Sequence, residues 1–488
     1  MLRLYRLNMK LFLNLSITIN FILLIYFIGH GQVHGIVGDN VLTKLQQSYP
    51  YSVLARQNQS YMAVQPRGCS MCEVDVELCK ELGKERLERS LAFSGSNRRL
   101  RRALAKLRRG QTINIGAVGG SVTKGFGLDQ EKEPYWPDTP TNFHRIVFDH
   151  LVSLYPAPNG VKIGESGKEE DKHGYINGGL GGLGTDYFSL CWREHVPDDL
   201  DIVFVEQAIN DEVLLDLPNK PAVVNFHVFA LMFNTVTNGG DLHQGIAQFY
   251  DLPILSLRNA VLNDIYRNES MIRDFFFVNS KGAVDTRHIS RYSHSLLGRI
   301  GSAYMDSQLC EMDRYEASLS EPNSMTIDEL YPVEPIPRMQ LHMKYDSDTV
   351  LPMIKPQCFS ADGKKHPLAP IDNKGWRKWN WKGKKYLIAD QPGSRVSFSL
   401  TSRLGGIEIH YLRSYQYHLG SASCWVDNDK AKAVRLDGYW REPFNLGRAA
   451  IIRDDLEPGE HTLTCELLNH TADPEGGKEF RLIAVMSI

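Results

Sequence analysis

The sequence carries no surplus of charge: 55 Lys and Arg stand against 57 Asp and Glu, for a formal net charge of -2 over 488 residues. A protein that grips a nucleic-acid backbone normally needs a basic excess, so no nucleic-acid partner is expected. Internal repeats and low-complexity tracts are lacking. With 42% hydrophobic and 23% charged residues, the composition is that of a globular chain and not of a disordered one. Cysteine is sparse, at eight residues. Cys69-x-x-Cys72 has no second C-x-x-C and no H-x-x-x-H partner at finger spacing, which argues against a zinc site. The length exceeds that of one ordinary domain and suggests two or three units.

Charge is also missing from one early stretch. Arg3, Arg6 and Lys10 precede an uncharged apolar run from Leu11 to about Ile28. That is the pattern of a signal peptide or signal anchor, and about 18 residues is the lower limit for crossing a bilayer. No clean small-x-small cleavage site follows, Gly29-His30-Gly31 being a poor one. Residues 1–35 are therefore expected as a signal peptide or, by preference, a single-pass anchor with a lumenal body. A buried core helix is the bland alternative.

Eight cysteines permit full pairing in an oxidising lumen, though connectivity is not assignable from sequence. Cys424 and Cys465, both in expected strands, could bridge. Asn58, Asn268 and Asn469 head N-x-S/T sequons, so a glycoprotein is expected. The compartment is the secretory pathway: membrane-anchored in the ER or Golgi lumen, or secreted and at the cell surface.

Residues 36–110 read as a stem followed by a basic helical segment, with Leu87, Leu91, Leu100, Leu104 and Leu107 near helical spacing. The run Arg98-Arg99-Leu100-Arg101-Arg102 reads as a solvated helix face. From 111 to 312 the texture is α/β. Ile113–Val118, Asp201–Glu206, Ala222–Phe226 and Pro253–Leu257 are short apolar runs separated by helical patterns, as in parallel strands covered on both faces. Residues 313–356 are proline-rich and charged, a linker. Residues 357–488 alternate with period two between glycine turns, the pattern of a β-sandwich. Most of the aromatic residues there are expected in its core. Trp379 and Trp381, lying among Lys and Arg, could instead form a carbohydrate-binding face.

The chemistry-bearing residues lie in the α/β part. Gly119-Gly120-Ser121-Val122-Thr123-Lys124-Gly125 follows the first strand, where glycines permit a tight turn that lifts the serine hydroxyl to the strand end. This turn matches neither G-x-G-x-x-G nor the P-loop pattern. A nucleophilic serine needs a base, and the base an orienting acid. Asp285-Thr286-Arg287-His288 offers both, on what reads as a loop. Asp362 and His366, four apart in the expected β part, are a decoy. An oxyanion needs donors. Asn210 follows the strand that ends at Glu206, and the loop Asn177–Thr185 is glycine-rich. Their bland readings are a helix cap and a flexible surface loop.

Taken together, Gly119-Gly120-Ser121, the glycine loop, Ala208-Ile209-Asn210-Asp211 and the late Asp285-x-x-His288 resemble the SGNH (GDSL-like) hydrolase superfamily. Gly-Gly-Ser departs from the commoner Gly-Asp-Ser, and the usual glycine two before Asn is missing. Ser290 and His294 stand where many members have Pro and Gly-His. The departures are similar to a eukaryotic branch with Gly-Gly-Ser and Glu-x-x-x-Asn-Asp blocks. The whole chain resembles fungal secretory proteins that join this domain to a C-terminal β module.

The resemblance implies a flavodoxin-like three-layer α/β/α SGNH domain followed by an all-β sandwich. It implies Ser121 as nucleophile, His288 as base and Asp285 as its orienter. Ser121 N–H, Gly182 N–H and the Asn210 side chain would form the oxyanion hole, with Gly181 or Gly184 as alternatives to Gly182. No metal or organic cofactor is required. The implied activity is removal of O-acyl, chiefly acetyl, groups from an acylated carbohydrate or other small ester. A membrane-anchored polysaccharide O-acyltransferase and a non-catalytic glycan-binding protein are the alternatives.

Overall fold

The structure is a computed structural model that describes residues 68–128, 139–164, 169, 171–206, 217–233, 235–236, 239–337, 339, 341, 343–346, 348 and 354–488. The apolar run at 11–28 and the sequon at Asn58 lie outside the described residues. Among the described residues no helix is long and apolar enough to cross a membrane.

Three short helices come first: α1 (Met71–Val74), α2 (Val76–Leu82) and α3 (Lys84–Ser90). They lead into β1 (Leu91–Phe93), α4 (Arg98–Arg108) and β2 (Asn114–Val118). The chain continues through α5 (Ser121–Lys124), α6 (Phe143–Leu154), β3 (Val161–Ile163), β4 (His173–Asn177) and α7 (Thr185–Cys191). Then follow β5 (Ile202–Val205), β6 (Ala222–His227), α8 (Gly239–Phe249), β7 (Ile254–Ser256) and α9 (Leu257–Arg267). α10 (Ile272–Phe275), the hairpin of β8 (Phe276–Val278) and β9 (Val284–Ile289), and the long α11 (Arg291–Ala317) close the α/β part, with the short α12 (Ile327–Leu330) beyond.

Seven strands form one sheet in the order β1-β7-β6-β5-β2-β4-β3. All neighbours are parallel except β1, which pairs antiparallel with β7. The five strands β4-β2-β5-β6-β7 reproduce the 2-1-3-4-5 flavodoxin-like order. The chain steps from β2 out to β3 and β4, then crosses to β5 on the other side of β2. The carboxyl end of β2 is thus a topological switch point, the usual place for a site in such sheets.

Both faces are covered, and the sequence shows it: Ile202 and Phe204 enter one core, Val203 and Val205 the other. α4, α6, α9 and α11 cover the first face through residues such as Leu104, Val147, Ala260 and Ile300. From Cys69 on, the stretch expected as a stem belongs to this body, for Leu78, Leu87, Leu100 and Leu104 are buried in the same core. The basic run on α4 is correspondingly not a bare solvated face. Arg101 donates to Gln308, Arg102 pairs with Asp328 at 2.8 Å, and Arg108 pairs with Asp313 and Glu316. Leu330 and Tyr331, in the stretch expected as a linker, are buried there too.

The C-terminal part is two packed antiparallel sheets. One comprises β10 (Gln357–Ser360), β12 (Arg377–Trp381), β13 (Lys384–Ala389), β15 (Ile407–Arg413), β18 (Leu446–Arg453) and β20 (Phe480–Ser487). The other runs β11-β14-β19-β16-β17, from β11 (Asp372–Lys374), β14 (Arg395–Ser402), β16 (Ser421–Val426), β17 (Val434–Asp437) and β19 (Gly459–Leu467). Phe398, Ile409, Leu463 and Val485 fill the space between them.

The first of these sheets has a second buried face. Ile388, Leu412, Ile483 and Met486 join Val118, Phe188, Val203 and Val223 in one apolar core, so the sandwich covers part of the α/β sheet. Polar contacts repeat the junction. Gly447 N–H donates to Gly182 O at 2.9 Å and Ala449 N–H to Asp186 at 3.0 Å, while Tyr187 OH meets Ser360 Oγ at 2.7 Å.

All eight cysteines are paired: Cys69–Cys310, Cys72–Cys79, Cys191–Cys358 and Cys424–Cys465. Cys69 and Cys72 therefore spend their sulfurs in different bridges. Cys191–Cys358 ties α7 to β10 across the two parts. Asn268 and Asn469 are exposed, which leaves both sequons accessible.

Candidate active site

β2 is buried along its whole length and ends in Gly119-Gly120, after which Ser121 opens the one-turn α5. A methyl at Gly119 would lie 2.2 Å from Thr123 Oγ1 and 2.8 Å from Glu206 Cβ, so only glycine lets this turn close against the end of β5. Thr123 is held from both sides. Its N–H and hydroxyl donate to Glu206 Oε2 at 3.1 and 2.8 Å, and Gly120 N–H donates to the same oxygen at 3.0 Å. Its carbonyl accepts from Asn142 Nδ2, Asn177 Nδ2 and His144 Nε2 at 2.7, 2.8 and 2.8 Å. Burial raises the Glu206 pKa, opposed by these three donors.

Ser121 Oγ lies 2.9 Å from His288 Nε2, and His288 Nδ1 lies 2.7 Å from Asp285 Oδ2. Burial pushes the Asp285 pKa up, but hydrogen bonds from His288 and Arg287 N–H outweigh it and hold it below its ordinary value. An ionised Asp285 accepts the hydrogen bond of Nδ1–H, which leaves Nε2 free to accept from the serine hydroxyl. His288 is buried, with the Phe126 ring stacked on its face at 4.0 Å.

The Asp-x-x-His pair was expected on a loop. It lies instead on β9, where the register against β8 jumps from Phe276↔Ile289 to Phe277↔Asp285. The bulge brings both side chains to one side, where a regular strand would turn residues three apart to opposite faces.

The glycine loop 177–185 is not a free surface loop. Gly178 N–H and Leu180 N–H donate to Ala117 O and Gly119 O at 2.8 and 3.0 Å, and Gly179 N–H to Asn177 Oδ1 at 2.9 Å. The amides of 178–180 are thus spent inside the protein. A methyl built at Gly181 would lie 3.6 Å from Ser121 Cβ, whereas one at Gly182 meets Lys384 Nζ at 3.4 Å. Gly181, not Gly182, is the loop glycine against the serine. Asn210 lies outside the described residues. His366 bonds Glu194 at 2.7 Å and Asp362 pairs with Lys385 at 3.0 Å, so these two make no dyad.

Ser121, Asp285 and His288 open onto a cleft of about 610 Å³ whose far wall is the sandwich. Lys382 and Gly383, with φ of 50° and 80°, form the two-residue turn of the β12–β13 hairpin that reaches it. Sequence reasoning missed Lys124, Phe126, Lys382, Lys384 and Asn445 on this cleft and the clamp at Glu206. Trp376 and Trp425 are buried, and the Arg481 guanidinium covers Trp379 at 4.6 Å. Trp381 faces Tyr417 at 5.5 Å and lines an adjoining recess of about 270 Å³.

No family model and no curated protein matches the sequence. Solved structures do match in fold. A two-domain esterase active on acetylated mannans superposes with a TM-score of 0.55 at 18% identity, covering 82% of this chain and 98% of that one. A structure of such an esterase co-crystallised with mannopentaose gives 0.55 and 18%, covering 82% and 97%. The architecture is that of a two-domain protein: an α/β domain with a mainly parallel sheet, followed by antiparallel β sheets.

Proposed function

We propose that this protein is a serine esterase of the SGNH type that removes O-acyl groups, acetyl foremost, from a glycan in the secretory pathway or at the cell surface. The Ser121–His288–Asp285 relay at the switch point of the sheet carries the reading. The likeness in fold to an esterase active on acetylated mannans supports it, and four disulfides support an oxidising compartment.

Ser121 Oγ attacks the ester carbonyl as its proton passes to His288 Nε2, and Asp285 stabilises the imidazolium that forms. The oxyanion is met by Ser121 N–H, by the amide of the glycine loop at Gly181 and by the Asn210 side chain. His288 returns the proton to the departing sugar oxygen. Water, deprotonated by His288, then cleaves the acyl-enzyme and restores the serine. Every proton in this cycle is handled by the chain's own groups.

The test is acetate release from acetylated oligosaccharides and from an aryl acetate by the parent, Ser121→Ala and His288→Ala. Turnover in the parent that falls by about 1,000-fold or more in both variants is expected. Undiminished turnover in Ser121→Ala overturns the mechanism.

A further inference from the structure

The cleft is lined by five cations and two carboxylates. Asp285 is committed to His288, and Asp362 pairs with Lys385 at 3.0 Å. Lys124, Arg287, Lys382 and Lys384 form no close ion pair among the described residues, though Asp362 acts on Lys124 and Asp285 on Arg287 from a distance, Arg287 bonds Met232 and Lys382 lies over the Trp381 ring. These four come from separate places: α5, β9, the β12–β13 turn and the start of β13. Lys384 and Ser121 flank the same loop glycine, for a methyl built at Gly181 would lie 3.6 Å from Ser121 Cβ and 3.9 Å from Lys384 Nζ.

Cations that outnumber the described carboxylates of a cleft repel one another and favour an anion that enters. Their titration agrees. Burial, then the charges of Lys124 and Arg287, lower the Lys384 pKa. Burial also lowers that of Lys124, Asp362 opposing and Lys385 adding to the effect.

From this geometry we infer that the cleft selects an anionic ester, one carrying a carboxylate within a sugar's width of the scissile acyl group. The inference rests on the esterase reading and narrows its substrate class. A neutral glycan would leave the cationic excess among the described lining residues unmatched, so the chemistry of this wall differs from what a mannan requires. Two sources supply such a carboxylate: a uronosyl residue of the glycan, or a dicarboxylic acyl group. The recess beside Trp381 and Tyr417, whose rings are covered by Lys382 and Arg481, continues the cleft and leaves room for a neighbouring sugar, which favours the uronosyl source.

The experiment compares kcat/KM of the full-length protein on O-acetylated polygalacturonate and on O-acetylated mannan of equal acetylation, at about 20 and about 200 mM salt. An aryl hemisuccinate is compared with an aryl acetate in parallel. The expected result is a preference of about 10-fold or more for the polyuronate at low salt, shrinking at high salt and collapsing in Lys382→Gln and Lys384→Gln. A preference seen instead for the hemisuccinate supports the anion site and places the carboxylate in the acyl group. Equal or better turnover of both neutral esters overturns the inference while the esterase reading stands. If no ester is hydrolysed, that reading fails, and binding decides the anion site separately. Ser121→Ala titrated with unacetylated oligogalacturonate should bind it in a salt-dependent way that Lys384→Gln weakens, and no binding overturns the site.

Discussion

Glu206 and Thr123 meet across two parallel strands, the carboxylate at the end of β5 accepting both the amide and the hydroxyl of the turn that carries the nucleophile. The turn is thereby set by a residue that touches no substrate. Glu206→Ala removes the one oxygen, Oε2, that accepts from Gly120 N–H, Thr123 N–H and the Thr123 hydroxyl. Loss of register at the serine should lower kcat by on the order of 100-fold. KM should change by less than about 3-fold, because the cleft walls are untouched. Steady-state kinetics separate this positioning role from general destabilisation, which would lower the active fraction and leave the pH profile of kcat intact.

Asp285→Asn is expected to reduce turnover strongly without unfolding the protein. The amide can donate its N–H to Nδ1, where the carboxylate can only accept from Nδ1–H, so the imidazole presents the wrong tautomer to Ser121. A loss of about 1,000-fold in kcat with unchanged circular dichroism is the expected outcome. Wild-type turnover would show that His288 is oriented by something else.

Three buried histidines make stability depend on pH. Burial lowers the pKa of His144 to about 4 and that of His294 to about 3, and lowers that of His410 as well. All three are neutral when folded, while in the unfolded chain they titrate near 6.5. The unfolded state therefore binds more protons below that value. Stability is fully present above pH 6.5 and drains away as pH falls towards 4, by about 2 kcal/mol for each histidine at pH 5. Urea unfolding at pH 7 and pH 5 measures the difference, and His294→Phe should shrink it.

Replacing Cys191 and Cys358 together with alanine opens the bridge between α7 and β10. A closure of this span contributes about 2–4 kcal/mol. Because the catalytic cleft has one wall on each part, activity should be lost at a lower urea concentration than tryptophan fluorescence in the variant. The two transitions should coincide in the parent.

The juxtaposition of Ser121, His288 and Asp285 was legible in the sequence because its cues are local. A glycine turn after an apolar strand and an Asp three residues before a His need no long-range information. β2, β5, β6 and β7 were legible as doubly buried apolar runs, whereas β4, which completes the 2-1-3-4-5 order, was not, and that order came only from the family resemblance. Other features were not, for physical reasons. β1 is an antiparallel edge of three residues, too short to show a period. Glu206 read as a strand end, though an acid closing a fully buried strand needs donors, and the Gly-Gly turn was the nearest supply. Gly181 and Gly182 are indistinguishable as letters; only the backbone shows which one lies against Ser121. Lys382 and Lys384 belong to another fold unit, and no pattern in 357–488 points back to residue 121. The hairpin needed the shared apolar core and the Cys191–Cys358 bridge to bring it there.

The β12–β13 turn is two residues long, Lys382 and Gly383, and stands apart in sequence from everything that handles the acyl group. On the esterase reading, acceptance of a substrate and cleavage of its bond would be separately heritable, for a change at the hairpin tip would alter which esters enter and leave the Ser121–His288–Asp285 relay as it is.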